Sequence, residues 1–580
     1  MKRLPSELQT LIISHLSAHD IVQLQQTCKY FNNHVEGNVA VWKACLRHLC
    51  QLEGLFWPTF NGLSTAPELK SACTGMWRFK SLYRNLEEAM LYAGKSRHLP
   101  VKAYGDLAEE GDAIAYGVPA EGDSDSSDYE ADEEIYGYVE GAHRKNPHPG
   151  LSSAYLIPGG RLLLTVDKTW LVLWDLGPPG ETDKPAILSK HQLDSDGWFT
   201  ILNVSMANDD NTLQIVIHEY LRRRLPPYVD PSRVMLGSDS RHMVSALHRF
   251  ELRLSADGEY ALQCLGRLCV VDEDEFEADH MVATQCAHQV ALKTDSGRII
   301  LWDTLETDGT VVFWEAPESY VLFIQLGYLM TVTEEGVQAI DLSIIPRDTI
   351  DNGLVDLRTS SAEPPSTSQS IKHPVDLGTI EGVTVPPSIR ARGPVRYDME
   401  VKEPSGHEID VRFSLDFCPD VPSSSNLTFL GKRDEGEAQM ETWSSHWFES
   451  VSGYWGCVWE ALPDVSSIHM TIYARPVVVM GSKSGDPQDG QELQDSHNGE
   501  YTQEEESGRD EEASRDDEDS DQGSDDTENY DSEAPIPIMA PENQSTVIED
   551  VHICPFSGRV VFLWDRRLVD DVMLEIVDYL

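Results

Sequence analysis

The apolar positions of this chain follow one period up to about residue 95 and a different one beyond about residue 150. Leu4, Leu8, Leu11, Ile12 and Leu16 fall at i, i+4, i+7, i+8 and i+12, an apolar stripe at helical spacing. Pro5 sits in the first turn, where proline is tolerated. Ile13 lies off the stripe, so this first helix has a second apolar face. Ser17 with Asp20 three residues on reads as an N-cap opening a second helix that carries Ile21, Val22 and Leu24. The pattern predicts a third helix over Thr27 to His34, with Cys28 and Phe31 inward. It predicts a fourth over Val41 to Leu49, with Trp42 and Leu46 inward. From Met76 to Leu86 a further helix places Trp77, Leu82, Tyr83 and Leu86 roughly on one face, as a structural spacer.

Past residue 150 the helical period gives way to runs of β-branched and aromatic residues, broken by Gly, Asp, Pro and Ser about every ten residues. This is the texture of an all-β domain with many short strands. Tyr155 to Thr165, then Asp167-Lys168-Thr169 and Leu171 to Leu176, reads as strand, turn, strand, turn, strand. Ser296 to Asp303 and Ser557 to Asp565 echo its Gly-Arg and Trp-Asp elements. A large aromatic at a strand end fills space between sheets, so Trp174, Trp302 and Trp564 are structural.

The first ~45 residues stand near the ~40-residue limit below which a chain needs a metal, disulfides or a partner. No pattern for either covalent aid is present, so the surplus apolar surface packs either on the next helices or on another protein.

Composition refines this division. Of 580 residues, 40% are apolar and 25% charged, which excludes a wholly disordered chain. The net charge of −53 disfavours wholesale attraction to nucleic acid or to an anionic membrane and welcomes a basic partner. That charge is concentrated. Asp106 to Glu134 holds twelve carboxylates and no Lys or Arg, and Asp486 to Glu533 holds twenty-one against Arg509 and Arg515. The second stretch interrupts strand-like sequence that resumes at Val551, and cannot bury enough apolar area to offset chain entropy. The expected division is therefore a helical module over 1–50, a helical linker over 51–98, an acidic linker over 99–150 and a β domain over 151–580 with a disordered insertion at 481–543.

The amino terminus passes straight into an amphipathic pattern without the apolar run of an export signal, and the most apolar window, Val321 to Met330, is too short for a membrane span. Ten scattered cysteines suit a reducing cytosol or nucleus.

No catalytic constellation emerges. His218-Glu219 lacks the second histidine of a zinc-protease helix, and Cys286-Ala287-His288 lacks a partner pair at zinc spacing. Gly177 to Lys184 has glycines and a lysine without phosphate-loop spacing, and its prolines remove donors. There is no G-x-S-x-G elbow. Arg222-Arg223-Arg224 reads as a solvated loop edge or a grip for an acidic peptide. No cofactor or metal is expected, and the chain is expected to be a non-catalytic subunit.

Leu4-Pro5-Ser6-Glu7-Leu8, Ile12, Leu16, Asp20-Ile21, Leu24, Thr27 to Phe31 and Val41-Trp42-Lys43 resemble an F-box in order and spacing. The resemblance implies docking on a Skp-type adaptor and through it on a cullin and RING scaffold, an SCF ubiquitin ligase. It makes Leu4, Pro5, Leu8, Ile12, Ile21 and Leu24 the adaptor-facing residues, with Phe31 and Trp42 holding the module together, and the segment from Met76 is similar to the rigid extension that follows an F-box.

The strand-turn-strand unit around Tyr155 is similar to the inner half of a WD-type propeller blade. Trp174 to Trp302 spans 128 residues, three repeats of about 43. With four or five more blades before Trp564, the count comes to six to eight, seven being favoured. Another β-rich fold such as a sandwich pair is the alternative. Gly-His, which opens typical blades, occurs only at Gly406-His407, so the usual His-Ser/Thr-Trp network cannot recur throughout.

The function these resemblances imply is a two-ended adaptor that holds the ligase scaffold at one end and a protein substrate at the other. The alternative is an interaction protein outside the ligase, an acidic chaperone for basic partners such as histones. The acidic tracts read as kinase targets, Ser127 and Ser514 each having an acid three residues on, or as solubilising spacers.

Overall fold

A computed structural model describes residues 4–84, 95–99 and, with breaks at the longer loops, 151–476 and 536–578; between residues 445 and 539 it describes backbone only. Both acidic tracts lie outside the described residues, as do Arg222 to Arg224.

Six α-helices open the chain: α1 (Ser6–Ile13), α2 (Ala18–Thr27), α3 (Lys29–Glu36), α4 (Val39–Glu53), α5 (Ala66–Cys73) and α6 (Gly75–Arg84). Ser17 caps α2 as its spacing predicts, its hydroxyl accepting the Asp20 N–H at 3.1 Å. Cys28 sits between α2 and α3 with extended backbone, so α3 starts later than the pattern implies. Helix α4 runs past its predicted bounds at both ends. Asn38 accepts the Val41 N–H at 3.3 Å to start it, and Gly54, at φ +67°, ends it in the left-handed region. Ile13, Ile21, Val35, Val41, Trp42 and Leu46 close the helical core, where the Trp42 indole N–H donates to the Val35 carbonyl at 3.1 Å.

The described strands form seven sheets of four or five strands. Each is built on an antiparallel meander of strands consecutive in sequence, extended in several sheets by a strand from elsewhere, and first strands of neighbouring sheets lie against one another, as Leu151–Leu156 does with Trp198–Met206 and that strand with Val282–Cys286. Consecutive meanders packed face to face through Val, Ile, Leu and Phe are β-propeller architecture.

Two expected boundaries move. Lys95–Leu99, which straddles the expected border at 98/99 between the helical and the acidic linker, is a strand paired antiparallel with Asp571–Asp578 and completes the last sheet. Ile536–Met539, assigned to the insertion, pairs with Ile468–Pro476. Pairing partners so far along the chain, beyond 60 residues in one case and beyond 470 in the other, leave no local signature.

The repeat arithmetic also needs correction. Trp174 and Trp302 both lie in third strands, of the first and third sheets, so the 128 residues between them span two sheets, one enlarged by 12- and 13-residue strands. Trp564 lies in the second strand of its sheet and is not equivalent to the other two. Trp174 keeps one link of the expected network, donating its indole N–H to the Thr165 hydroxyl at 2.9 Å.

After Gly336–Asp341 the chain leaves the fourth sheet, adds Asp348–Thr349 to the edge of the third, and runs Leu354–Asp356 parallel to the outer strand of the second. It then returns to the fourth as Gln369–Lys372. Val355 and Leu357 are buried in the packing between the second and third sheets, so this excursion is a strap across three sheets.

Candidate functional site

The first helix divides its side chains between two faces. Gln9 and Ile13 point inward, Gln9 donating to the Leu4 carbonyl at 2.6 Å and exchanging hydrogen bonds with the Tyr30 hydroxyl at 2.9 and 3.0 Å. On the outer face Leu4, Leu8, Leu11 and Ile12 expose 38, 47, 56 and 43% of their surface, and Pro5 is exposed beside them. Full burial of one such side chain is worth roughly 1.5–3 kcal/mol, so the ridge forgoes stability that a covering surface would recover.

Of the six residues expected to face an adaptor, Leu4, Pro5, Leu8 and Ile12 are thus brought together on one bare ridge. Ile21 is not among them: it is fully buried in the helical core, because α2 is held against α3 and α4 on that side. Leu24 is half-buried and packs on the same core. Leu11, part of the stripe but not assigned to the docking set, is the most exposed of the ridge residues; its place in the i, i+3, i+4 repeat with Leu8 and Ile12 was the available signal. Trp42, fully buried, and Phe31, 9% exposed, hold the module together as expected.

The opposite side of the helical end is consumed by the propeller. The Phe56 N–H donates to the Pro158 carbonyl at 3.2 Å, the Tyr260 hydroxyl to the Pro58 carbonyl at 2.9 Å, and Arg161 to the Asn61 carbonyl. Phe56 is buried among Ile157, Leu162 and Phe199. Gly75 lies so close to the 555–558 hairpin that a Cβ there would stand 1.8 Å from the Phe556 carbonyl oxygen, which only glycine permits. On α6 the buried residues are Met76 and Phe79, while Trp77 is 38% exposed and meets the edge of His19 at 4.4 Å. Leu82, Tyr83 and Leu86 fall outside the described side chains. The helical end is therefore seated on hairpins that join first and second strands, residues 56–61 on that of the first sheet and Gly75, just before the segment expected as a spacer, on that of the last.

Residues weighed for chemistry are spent on structure. Glu219 is fully buried and accepts from His248 at 2.7 Å; His218, on the next position, is buried with its pKa pushed down to about 3 by desolvation and by the charge of His248. Burial raises the Cys286 thiol, and His288 lies 3.4 Å from Asp303. Gly177 accepts from Arg559 through its carbonyl. Among the described residues no group of three or more His, Cys, Asp or Glu is placed to hold a metal ion, and no helix is long and apolar enough to cross a membrane.

Residues 1–48 match the F-box-like family model. No curated protein matches the chain. Among solved structures, the chain is similar to the WD40 domain of SCAP from fission yeast, at 10% identity over 74% of this chain and 82% of that one, with a TM-score of 0.30. It is similar to the Cps50 (Swd1) β-propeller domain of Myceliophteria thermophila, at 10% identity over 75% and 97%, TM-score 0.33. A chain of the mitotic checkpoint complex matches at 9% identity over 81% and 98%, TM-score 0.30. With scores this low, the propeller architecture stands on the strand topology itself. Residues 1–48 are thus an F-box-like module, and the strands that follow it build a β-propeller.

Proposed function

We propose that this chain is the substrate-recognition subunit of an SCF-type E3 ubiquitin ligase. The ridge of Leu4, Pro5, Leu8, Leu11 and Ile12 docks a Skp-type adaptor, and through it the cullin and RING subunits, in the cytosol or nucleus. The observation that carries this reading is the division of α1: a module whose inner face is already satisfied by its own core and by the propeller still presents four large aliphatic side chains to water. A helix laying an apolar face into a partner's groove is the corresponding recognition mode.

Because the helical end occupies the hairpin side of the ring, the protein substrate binds on the other side, among turns such as Thr294 to Gly297 and Glu334-Glu335. Loops on a rigid scaffold are the usual recognition surface. Catalysis then comes from proximity: a substrate lysine held near a charged conjugating enzyme reacts as if at high effective concentration, and this chain supplies no acid, base or nucleophile.

Replacing Leu4, Leu8 and Ile12 together by Ala should abolish co-purification with the Skp-type adaptor, each anchor contributing ~1–3 kcal/mol, while the chain stays folded by circular dichroism. Undiminished adaptor binding by the triple variant overturns the docking assignment. Deleting 486–533 separates this reading from an acidic chaperone, since substrate ubiquitination should persist here and be uncoupled from any loss of binding to basic proteins.

A further inference from the structure

The fourth sheet is finished by a strand that is short and lightly held. Gln369–Lys372 pairs with Gly336–Asp341 over four residues, and of its side chains only Gln369 and Ile371 are half-buried. The stretch before it, residues 361–367, has no regular secondary structure, contains Pro364 and Pro365, and is largely exposed. It is tied at one end by the Ala362 N–H, which donates to the Phe313 carbonyl at 3.0 Å. The other tie is Ser368. Its N–H donates to the Ala339 carbonyl at 2.8 Å and its hydroxyl oxygen accepts the Asp341 N–H at 3.1 Å, yet the side chain stays exposed. The Asp341 carboxylate is itself fixed by the Ser343 N–H at 2.8 Å. An accessible hydroxyl thus stands where added negative charge would meet a carboxylate already held in place.

We propose that Ser368 is phosphorylated by a kinase that reads the glutamine directly after its acceptor serine, and that the phosphate detaches Gln369–Lys372 from the fourth sheet. Ser368-Gln369 has the order such a kinase recognises. The chain holds two other pairs of this kind: Thr284-Gln285, where Gln285 is buried, and Thr502-Gln503 in the second acidic tract, outside the described residues. In the transfer the Ser368 Oγ attacks the γ-phosphorus of ATP, the bond from that phosphorus to the bridging oxygen breaks, ADP leaves, and the hydroxyl proton passes to the kinase's base. The product carries a charge of about −2 beside Asp341, and its ester oxygen is a poorer acceptor for the Asp341 N–H. Like charges side by side and one weakened hydrogen bond oppose only four residues of edge pairing, so the strand is released.

The test uses the full chain, incubated with ATP and a purified glutamine-directed serine kinase. Trypsin cuts after Arg358 and Lys372, so Ser368 lies on one peptide of residues 359–372, in which tandem mass spectrometry places the phosphate. The expected result is phosphate on Ser368, removed by a protein phosphatase and absent from both Ser368→Ala and Gln369→Ala. Hydrogen exchange then reads the strand. In the phosphorylated chain the amides of Gly336–Asp341 should exchange about fivefold faster than in the unmodified chain, while those of Arg298–Asp303 in the third sheet keep their rate. A chain without phosphate on Ser368, equal labelling of Gln369→Ala, or unchanged exchange once Ser368 is phosphorylated each overturns the proposal. Mapping and exchange on the unsubstituted chain decide the matter even if a variant does not fold.

Discussion

The helical end and the propeller handle polarity in opposite ways. On α1 and the residues leading into it four aliphatic side chains stand in water while Gln9 is buried; in the ring, charges are taken inside. Arg559 is fully buried, paired to Asp578 at 2.5 and 3.0 Å, and donates to the carbonyls of Gly160 at 2.6 Å, Gly177 at 3.0 Å and Pro178 at 3.3 Å in the first sheet. Asp578 also takes Arg97 at 3.4 Å, from the strand that completes the last sheet. Arg298 reaches from the third sheet to Asp272 of the second at 2.6 Å. An exposed apolar ridge costs stability until something covers it, whereas a buried ion pair fixes which sheet meets which, because a misplaced charge would be left without a partner. The contrast separates a surface made for another molecule from contacts made for this one.

The comparison breaks most visibly at the clasp. Arg559→Ala should cost ~3–5 kcal/mol in denaturant unfolding by taking from buried Asp578 the guanidinium that holds both its oxygens, and replacing both partners by Met and Leu should recover much of that loss. If the single variant is as stable as the parent, the clasp does not hold the first and last sheets together. Next in size is Ile21→Ala, which should destabilise the chain by ~2–5 kcal/mol as a core truncation; a stability loss below that range with impaired adaptor capture would return Ile21 to the docking surface.

Acid provides a third probe. Burial and His248 depress His218, so the folded chain resists a proton that the unfolded chain accepts near pH 6.5. The associated stability is present above that value and falls as pH drops toward 3, by about 1.4 kcal/mol per unit. Between pH 6.5 and 5 the parent should therefore lose ~2 kcal/mol, and His218→Leu, whose parent ring nitrogens have no hydrogen-bond partner, should flatten that slope. An unchanged slope places the acid sensitivity elsewhere. Smallest in stability, and the sharpest contrast with Ile21, is Leu11→Ala. It should alter unfolding by no more than ~0.5 kcal/mol while weakening adaptor binding by ~1–3 kcal/mol, read by calorimetric titration.

Much of this was legible in the order of residues. The stripe of α1, the cap at Ser17 and the switch to short β-branched runs near residue 150 are local signals, and each corresponds to an observed element. The residues that misled share a cause. Ile21 and Leu8 are equally apolar, and periodicity places both on helix faces without saying which face meets α3 and α4. The Trp-Asp echoes look alike whether they end a second or a third strand, and the long strands of the second sheet stretch two sheets over the 128 residues between Trp174 and Trp302 that spacing reads as three.

Residue order by itself determined the amino-terminal helices, the change to short strands near residue 150, the acidic tracts and the candidate docking helix, because these depend on neighbours within a few turns of the chain. Only the tertiary structure decided that Leu11 is bare and Ile21 hidden, that residues 95–99 finish a sheet begun at 547, that the strap crosses three sheets and that Arg559 meets Gly160. Those outcomes join segments far apart in sequence, where burial and ion pairing act through space and the local pattern carries no record of the partner.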